Sequence, residues 1–221
     1  MGAMIYLVFL LLTAAWVYQF LALVCLGRFF RPSPSASPVK TGPGITVFKP
    51  LKGLSPLSRE CLTSFLTQDY HPYQVLFGVR DPDDPVLSLL RELARTHPGC
   101  DLSVVICPED LGLNPKISTL RQLMPQARYD LLMIADGDVH VGPDYLAQVA
   151  AAFRQPGVGL VSCPYRAGPS HTLGSALEAL TIAADFIPSV AVAIYVEGIR
   201  FALGATMALT RQALYAIGGL A

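Results

Sequence analysis

The stretch Leu131-Leu132-Met133-Ile134-Ala135-Asp136-Gly137-Asp138 decides the predicted fold. Its first five residues are all apolar, which is typical of a strand buried on both faces of a sheet. Two aspartates separated by one glycine follow, so the carboxylates would lie at the C-terminal end of that strand. Open α/β sheets bind their ligands at this edge. Carboxylates there suit Mg²⁺ or Mn²⁺ carrying a diphosphate, although an Asp pair at a turn or helix entry fits the triplet alone equally well.

Strand-like and helix-like segments alternate on both sides of this stretch. Strands are predicted at residues 45–48, 75–79, 103–106, 131–135, 158–162 and 204–209, and helices at 55–68, 84–97, 116–124, 143–153 and 172–186. Pro56 and Pro85 suit the first turn of their helices, because that turn leaves its N–H groups unpaired. Alternation of this kind indicates right-handed crossovers. We therefore predict an α/β fold with a mostly parallel sheet and helices on both faces.

The composition excludes some functions and indicates a membrane segment. The chain has 221 residues, 52% of them hydrophobic, with 16 basic and 16 acidic residues. This charge balance argues against a nucleic-acid-binding protein, which would carry a basic surplus. Residues 5–26 are almost wholly apolar and are long enough to cross the ~30 Å hydrocarbon core of a bilayer. We assign residues 1–27 to a retained anchor rather than a cleaved signal peptide, because no small-residue cleavage site follows.

The charges beside the apolar segment predict its orientation. Arg28, Arg31 and Lys40 follow it, and no Lys or Arg precedes it. The positive-inside rule then places the rest of the chain in the cytosol, behind a single-pass N-terminal anchor. Residues 28–44 are rich in proline and serine and are predicted to be a linker. The remainder, 45–221, is long enough for one domain with its own core.

Polar residues follow each of the first four predicted strands of this domain. They are residues 49–53 (Lys-Pro-Leu-Lys-Gly), 80–84 (Arg-Asp-Pro-Asp-Asp), 112–116 (Gly-Leu-Asn-Pro-Lys) and 136–138 (Asp-Gly-Asp). Because the carboxyl ends of parallel strands meet at one edge of a sheet, these segments should share one site. Lysines beside a glycine suit phosphates, and acids suit ribose hydroxyls, a base edge or a divalent metal. The combination indicates a nucleoside diphosphate, and no Gly-x-Gly-x-x-Gly follows the first strand to indicate a dehydrogenase.

Five motifs, in order along the chain, resemble those of ceramide glucosyltransferases and of bacterial hopanoid-associated glycosyltransferases. They are Lys49-Pro50-Leu51-Lys52-Gly53, Asp81-x-Asp83-Asp84-Pro85, Gly112-x-Asn114-Pro115-Lys116-Ile117, Tyr129-Asp130-Leu131 followed by Asp136, and Gly218-Gly219-Leu220. The resemblance implies a GT-A fold behind the anchor, a UDP-sugar donor and a divalent cation, Mn²⁺ or Mg²⁺. It also implies inverting transfer of a sugar, glucose by analogy, to a ceramide-like lipid hydroxyl in the membrane. A hopanoid or polyprenoid acceptor is the alternative.

The resemblance assigns roles to individual residues. Asp84 matches the first acid of the family, near the nucleotide, with Asp81 as a neighbour that shares this role; an aspartate before proline also suits a helix start. Asp136 matches the second acid, and Asp138 completes the Asp-x-Asp that related families use to bind the metal. Lys116 is assigned to the donor, with a solvated lysine in the first turn of its helix as the alternative. Nucleotide-sugar binding is thus predicted for Asp81, Asp84, Lys116, Lys49 and Asp136, and metal binding for Asp136 and Asp138.

Other positions keep two interpretations. Lys49 and Lys52 could contact the donor or be exposed lysines at a strand end. His140, two residues after Asp138, fits substrate contact less well than a turn or surface position. Residues 186–201 are apolar but are interrupted at Pro188, and they are too short to span a bilayer. They either pack in the core or lie against the membrane and shape a lipid entrance.

The catalytic base is expected beyond the end of this chain. In the resembled family a carboxylate base and a Gln-x-x-Arg-Trp motif follow Gly-Gly-Leu, whereas this sequence ends at Ala221. Asp185 and Glu197 are the remaining late acids, and neither stands in a matching context. We therefore expect a partial reading frame that holds the donor-binding half. A nucleotide-sugar-binding module without turnover is the rival interpretation.

Overall fold

The computed structural model describes residues 2–31, 40–169 and 172–220. The chain forms two compact units: one comprises Met1–Pro34 and Pro164–Phe201, and the other Ser35–Cys163 and Ala202–Ala221. The sequence predicts instead one continuous domain over 45–221. The division differs because the segment Pro164–Phe201 groups with the N-terminal helix.

A six-stranded sheet forms the centre of the second unit within the described residues. Its strands are β1 (Thr41–Leu51), β2 (His71–Val79), β3 (Leu102–Ile106), β4 (Leu131–Ala135), β5 (Leu160–Ser162) and β6 (Thr206–Thr210). Their order is β3-β2-β1-β4-β6-β5. The first four strands are parallel, and β6 runs antiparallel to both β4 and β5. The predicted mostly parallel sheet is therefore confirmed.

Helices follow the strands in alternation, as predicted. They are α1 (Gly2–Phe29), α2 (Ser58–Leu66), α3 (Val86–Thr96), α4 (Pro115–Leu123), α5 (Tyr145–Ala152), α6 (Leu173–Thr181), α7 (Ile187–Glu197) and α8 (Arg211–Ala216). The start of α4 shows how sequence fixes a boundary. The Asn114 side chain accepts the backbone N–H groups of Lys116 and Ile117, and Pro115 takes the first helical position.

The central strand β4 separates two layers of core. All five of its residues are buried, and it pairs with β1 on one side and with β6 on the other. Leu131, Met133 and Ala135 face a cluster that includes side chains of α2, α3 and α5. Leu132 and Ile134 face a second cluster with side chains of α4 and α8. Helices thus cover both faces of the sheet, and the period-two alternation of β4 supplies both cores.

The first strand is longer at both ends than the sequence predicts. Of the predicted linker, residues 32–39 lie outside the described residues, while β1 begins at Thr41 and pairs there with His71. Tyr70 donates a hydrogen bond to the carbonyl of Pro43 at 2.6 Å. A Cβ on Gly44 would lie 2.1 Å from the Tyr129 ring, so only glycine allows this close approach. Gly44, which contributes to the linker prediction, is thus required by packing within β1.

The helical segment after β5 also differs from its prediction. The sequence predicts a helix that ends at 186 and a break at Pro188, but Leu173–Glu197 is one helical rod of 25 residues. A π turn over Ile182–Phe186 joins α6 to α7 immediately before the proline. Because the π turn is wider than an α turn, it leaves room for the proline ring. The predicted interruption is therefore wrong, and length no longer argues against a membrane span.

In the described residues, α1 and Leu173–Glu197 are the two helices long and apolar enough to cross a membrane. Within the first unit, α7 packs against the C-terminal half of α1. The Tyr18 hydroxyl lies 3.0 Å from Ser189 Oγ, and the Arg28 guanidinium lies 5.1 Å from the centre of the Tyr195 ring. Of the apolar segment 186–201, the helix α7 therefore packs against the predicted anchor.

Candidate active site

A cavity of about 700 Å³ opens at the carboxyl ends of β1, β2 and β4. All four predicted strand-exit segments contribute to its wall. The lining includes Pro50, Leu51, Lys52, Gly53, Arg80, Asp81, Asp84, Pro115, Lys116, Asp136, Gly137 and Asp138. The structure thus brings together Asp81, Asp84, Lys116, Asp136 and Asp138, all of which the sequence selects.

Lys116 and Asp136 form a close ion pair at the cavity wall. The Lys116 ammonium lies 2.5 Å from Oδ1 of Asp136 and donates a second hydrogen bond to the carbonyl of Gly204 at 3.0 Å. The two side chains are 32% and 38% exposed. At that exposure solvent screens the attraction, so the pair adds little to stability. It does place one positive and one negative group where a polar ligand in the cavity can reach both.

The backbone of the Asp136–Gly137–Asp138 loop is fixed from the side opposite the cavity. The Asp136 N–H donates to the Ala205 carbonyl at 2.9 Å. The Asp136 carbonyl accepts a hydrogen bond of 2.7 Å from Lys49 Nζ, and the Asp138 carbonyl accepts one of 3.2 Å from the Cys61 thiol. Burial raises the pKa of the Cys61 thiol, which keeps its proton available for donation.

Gly137 lies close to the flexible side chain of Leu51 at the end of β1. A Cβ at this position would lie 2.9 Å from Cδ2 of Leu51, closer than real side chains come. The glycine between the two aspartates therefore lets the loop lie directly against the end of β1.

Lys49 lies beneath this loop rather than on the cavity wall. Its residue is 0% exposed, and the ammonium lies 3.9 Å above the centre of the Phe65 ring. Burial lowers the pKa of Lys49 to about 7, against the opposing effect of Cys61, Asp136 and Asp138. The sequence predicts that Lys49 contacts the donor at a strand end. The structure places it inside β1, on the same inward face as Ile45 and Val47.

Asp84 lies at the start of α3, as predicted, and also lines the cavity. One carboxylate oxygen accepts the Val86 N–H at 2.8 Å at the start of α3, and the other accepts the Gly53 N–H at 2.8 Å. The side chain thus ties the loop after β1 to the segment after β2 while it lines the cavity. Gly53 has φ of +69°, a conformation that favours glycine at this turn. Asp81 closes a turn by accepting the Asp83 N–H at 2.9 Å.

Of the remaining predicted positions, one lines the cavity and the others lie outside its lining. Lys52 lines the cavity and is exposed. His140 is outside the cavity lining, with Nε2 3.7 Å from the Glu60 carboxylate, as expected for a surface histidine. Asp185 and Glu197 belong to the first compact unit.

Arg80 belongs to a predicted strand-exit segment but has no role assigned from the sequence. It lines the cavity, and its guanidinium lies 3.7 Å from the Asp110 carboxylate. Its position directly after β2, at the carboxyl edge of the sheet, is the signal that identifies it.

The carboxylates of the cavity fit a metal that is shared with a ligand. Across residues 2–31, 40–169 and 172–220, no three His, Cys, Asp or Glu side chains form a group that could hold a metal. Mg²⁺ sites commonly use one or two carboxylates and complete their coordination with water and substrate phosphates. Asp136 and Asp138, two hard-oxygen donors on one short loop, fit that pattern.

The sheet order, the cavity at its carboxyl edge and the acid-bearing loop after β4 define a GT-A glycosyltransferase fold. A solved mannosyltransferase from Pyrobaculum calidifontis, in complex with GDP-Man and Mn²⁺, has the same fold with a TM-score of 0.67 and 24% identity. The match covers 95% of this chain and 57% of the mannosyltransferase. The predicted fold is therefore confirmed.

The chain belongs to glycosyl transferase family 21, whose family model matches residues 7–221. Ceramide glucosyltransferase 1 of Caenorhabditis elegans is 30% identical over 121 residues, which cover 55% of this chain and 26% of the relative. A ceramide glucosyltransferase of Komagataella phaffii is 30% identical over 134 residues, which cover 56% of this chain and 26% of the relative. The matches thus span about a quarter of each relative, and the predicted resemblance to ceramide glucosyltransferases is confirmed.

Proposed function

We propose that this chain binds the nucleoside diphosphate of a UDP-sugar, and that the whole protein transfers the sugar, glucose, to a ceramide-like lipid hydroxyl. One observation carries this proposal: Lys116, Asp136 and Asp138 line one cavity at the carboxyl edge of a GT-A sheet. Membership of family 21 and the ceramide glucosyltransferase relatives support the sugar and the lipid.

Different charged groups of the cavity would bind the metal ion and the diphosphate of the donor. Asp136 and Asp138 would hold Mn²⁺ or Mg²⁺, and Lys116 would bind a diphosphate oxygen through its ammonium. A divalent cation bound there supplies positive charge against the negative charge that develops on the departing diphosphate. Lys116 adds a second positive charge on the same side, fixed by the Gly204 carbonyl and by the cap of α4.

The nucleoside would occupy the part of the cavity nearer β2. Both carboxylate oxygens of Asp84 already accept backbone N–H groups, so we propose that Asp84 shapes the loop at Gly53. One oxygen of Asp81 accepts a backbone N–H, and its other oxygen is the proposed acceptor for a ribose hydroxyl. Arg80 offers a guanidinium at the same edge.

The acceptor would be supplied by the membrane. The length and composition of α1 suit a bilayer span, and Arg28 and Arg31 at its C-terminal end favour a cytosolic position for the sheet-containing unit. A hopanoid or polyprenoid acceptor is the alternative lipid. Protease added outside intact cells should leave the sheet-containing unit uncut; cleavage there would contradict the proposed orientation.

Calorimetric titration of UDP with and without Mn²⁺ tests the donor site. The wild type should bind UDP more tightly with Mn²⁺, and Asp136→Ala should lose that difference. Asp69→Ala, which removes a carboxylate from an exposed ion pair with Lys40, is the matched control and should bind as the wild type does. Metal-dependent binding that survives Asp136→Ala would contradict the assignment.

Transfer is tested on the whole protein in lipid vesicles. UDP-glucose with ceramide should give a glycolipid, whereas GDP-mannose should not. Product from a hopanoid acceptor but not from ceramide would replace the lipid assignment and leave the donor assignment standing.

A further inference from the structure

A buried lysine lies where the fold itself needs an apolar side chain. Lys49 follows Ile45 and Val47 on the inward face of β1, among residues of the larger core cluster, and it is 0% exposed. Its ammonium is 3.9 Å from the centre of the Phe65 ring. Removing a charged amine from water is unfavourable, and one aromatic ring compensates only in part. A methionine would fill similar space without that penalty.

The polar contact of Lys49 is with the proposed metal-binding loop. Nζ donates to the Asp136 carbonyl at 2.7 Å. Two residues further on, the Cys61 thiol donates to the Asp138 carbonyl at 3.2 Å. The two carbonyls belong to Asp136 and Asp138, two of the aspartates that line the cavity. Both aspartates are thus held through their backbones by side chains from the core side of the loop.

Other hydrogen bonds of the loop depend on the same carbonyl. The Val139 N–H donates to the Asp136 carbonyl at 3.3 Å, so this oxygen closes the turn and accepts Lys49 at once. The Asp136 N–H is fixed separately by the Ala205 carbonyl. Without Lys49, the hydrogen bond from the Asp136 N–H to Ala205 would remain, but the donor that orients the peptide after Asp136 would be lost.

We propose that Lys49 is a positioning residue of the donor site, which holds the Asp136 peptide so that the carboxylates of Asp136 and Asp138 converge on one metal ion. The inference rests on the proposed function of this loop. Groups that orient metal ligands from behind typically change metal affinity by about 10–100-fold when they are removed. Lys49 therefore affects the donor site without contacting the donor.

Two substitutions separate this role from a structural one. Lys49→Met removes the donor and fills the space, so thermal stability should stay the same or rise. The apparent affinity for Mn²⁺ in the presence of UDP should fall by about 10–100-fold. Lys49→Gln keeps an N–H donor without the charge. Its apparent affinity for Mn²⁺ should lie between those of the wild type and Lys49→Met.

A matched control shows whether lost stability alone could weaken the metal. Val149→Ala opens a small gap in the same core cluster, on α5, and should lower the melting temperature. The apparent affinity of Val149→Ala for Mn²⁺ in the presence of UDP should equal that of the wild type. Equal loss of Mn²⁺ affinity in Val149→Ala and Lys49→Met would overturn the positioning role.

Hydrogen exchange of the loop amides gives a readout without ligand. Lys49→Met should speed exchange at Val139 and leave the amides of β4 unchanged. Wild-type exchange at Val139 in Lys49→Met, or wild-type Mn²⁺ affinity, would overturn the inference while the donor site stands. A wild-type protein that binds UDP equally with and without Mn²⁺ would instead overturn the proposed function, and the inference with it.

Discussion

The loop Asp136–Gly137–Asp138 has two unlike sides, each with a lysine. On the cavity side, Lys116 is partly exposed and pairs with the Asp136 carboxylate. On the core side, Lys49 is fully buried and binds the Asp136 backbone. An exposed ion pair is screened and can exchange partners, whereas a buried hydrogen bond keeps one geometry. The comparison indicates that one side of the loop is available to a ligand and the other side fixes the loop.

Breaking the cavity side should have the largest effect on ligand binding. Lys116→Ala removes a charged donor proposed to bind the diphosphate, and hydrogen bonds to charged groups contribute about 1.5–3 kcal/mol. UDP affinity should fall by the corresponding factor, about 10–150-fold, while the melting temperature stays nearly constant because the pair with Asp136 is exposed. Calorimetry and a thermal melt check both parts. A large drop in stability with unchanged affinity would contradict the comparison.

A substitution that moves the loop away from the end of β1 should affect both stability and ligand binding. In Gly137→Ala the new methyl group would lie 2.9 Å from Cδ2 of the half-buried Leu51. Because the end of this flexible side chain can move, the cost should stay at or below the low end of the about 1–3 kcal/mol typical of overpacking. We expect a lower melting temperature and weaker Mn²⁺-dependent UDP binding. Adding Leu51→Ala removes the clash and should recover much of the binding. Failure of the double variant to recover would show that the glycine is needed for another reason.

On the core side, the lowered pKa of Lys49 should make the free energy of unfolding depend on pH. Lys49 has a pKa of about 7 in the folded protein and 10.5 as the ordinary value. Between these values the unfolded chain holds the extra proton, so stability rises with pH, by up to about 1.4 kcal/mol per pH unit. Wild-type stability should therefore rise relative to Lys49→Met from pH 7 to 8.5, a difference in which the titration of groups common to both proteins cancels. Parallel curves in a denaturation series would contradict the lowered pKa of Lys49.

The smallest effect is expected at Cys61. Its thiol is a weak donor to the Asp138 carbonyl, and Cys61→Ala should weaken Mn²⁺-dependent binding less than Lys49→Met does. Cys61→Ser offers a stronger donor in the same place and should restore binding. If Cys61→Ala weakens binding more than Lys49→Met, the thiol rather than the lysine is the main support of the loop.

The sequence predicts the cavity side well because its signals are local. An apolar run that ends in acids identifies β4 and its exit, and the helix predicted at 116–124 matches α4 to within one residue at each end. Since parallel strands bring their exits to one edge, residues distant in sequence can be assigned to one cavity. Asp84, Lys116 and Asp136 are brought together by this reasoning.

The core side is predicted poorly because its signals are tertiary. The sequence places the end of the first strand at residue 48, so Lys49 is assigned to a loop, although the alternation of Ile45 and Val47 points inward at 49 as well. From the sequence, Gly44 indicates a linker, because its close contact with the Tyr129 ring exists only in the folded chain. The helix through Pro188 continues because a π turn precedes the proline, and no sequence pattern indicates that turn.

Mn²⁺ electron paramagnetic resonance tests the central claim most directly. Free Mn²⁺ gives a strong signal that weakens when the ion is bound, so a titration with UDP measures the ternary complex. The wild type should lower the free signal only when UDP is present, and a double variant of Asp136→Asn with Asp138→Asn should not lower it beyond UDP alone. Equal binding of Mn²⁺ by the wild type and the double variant would contradict the assignment of this loop.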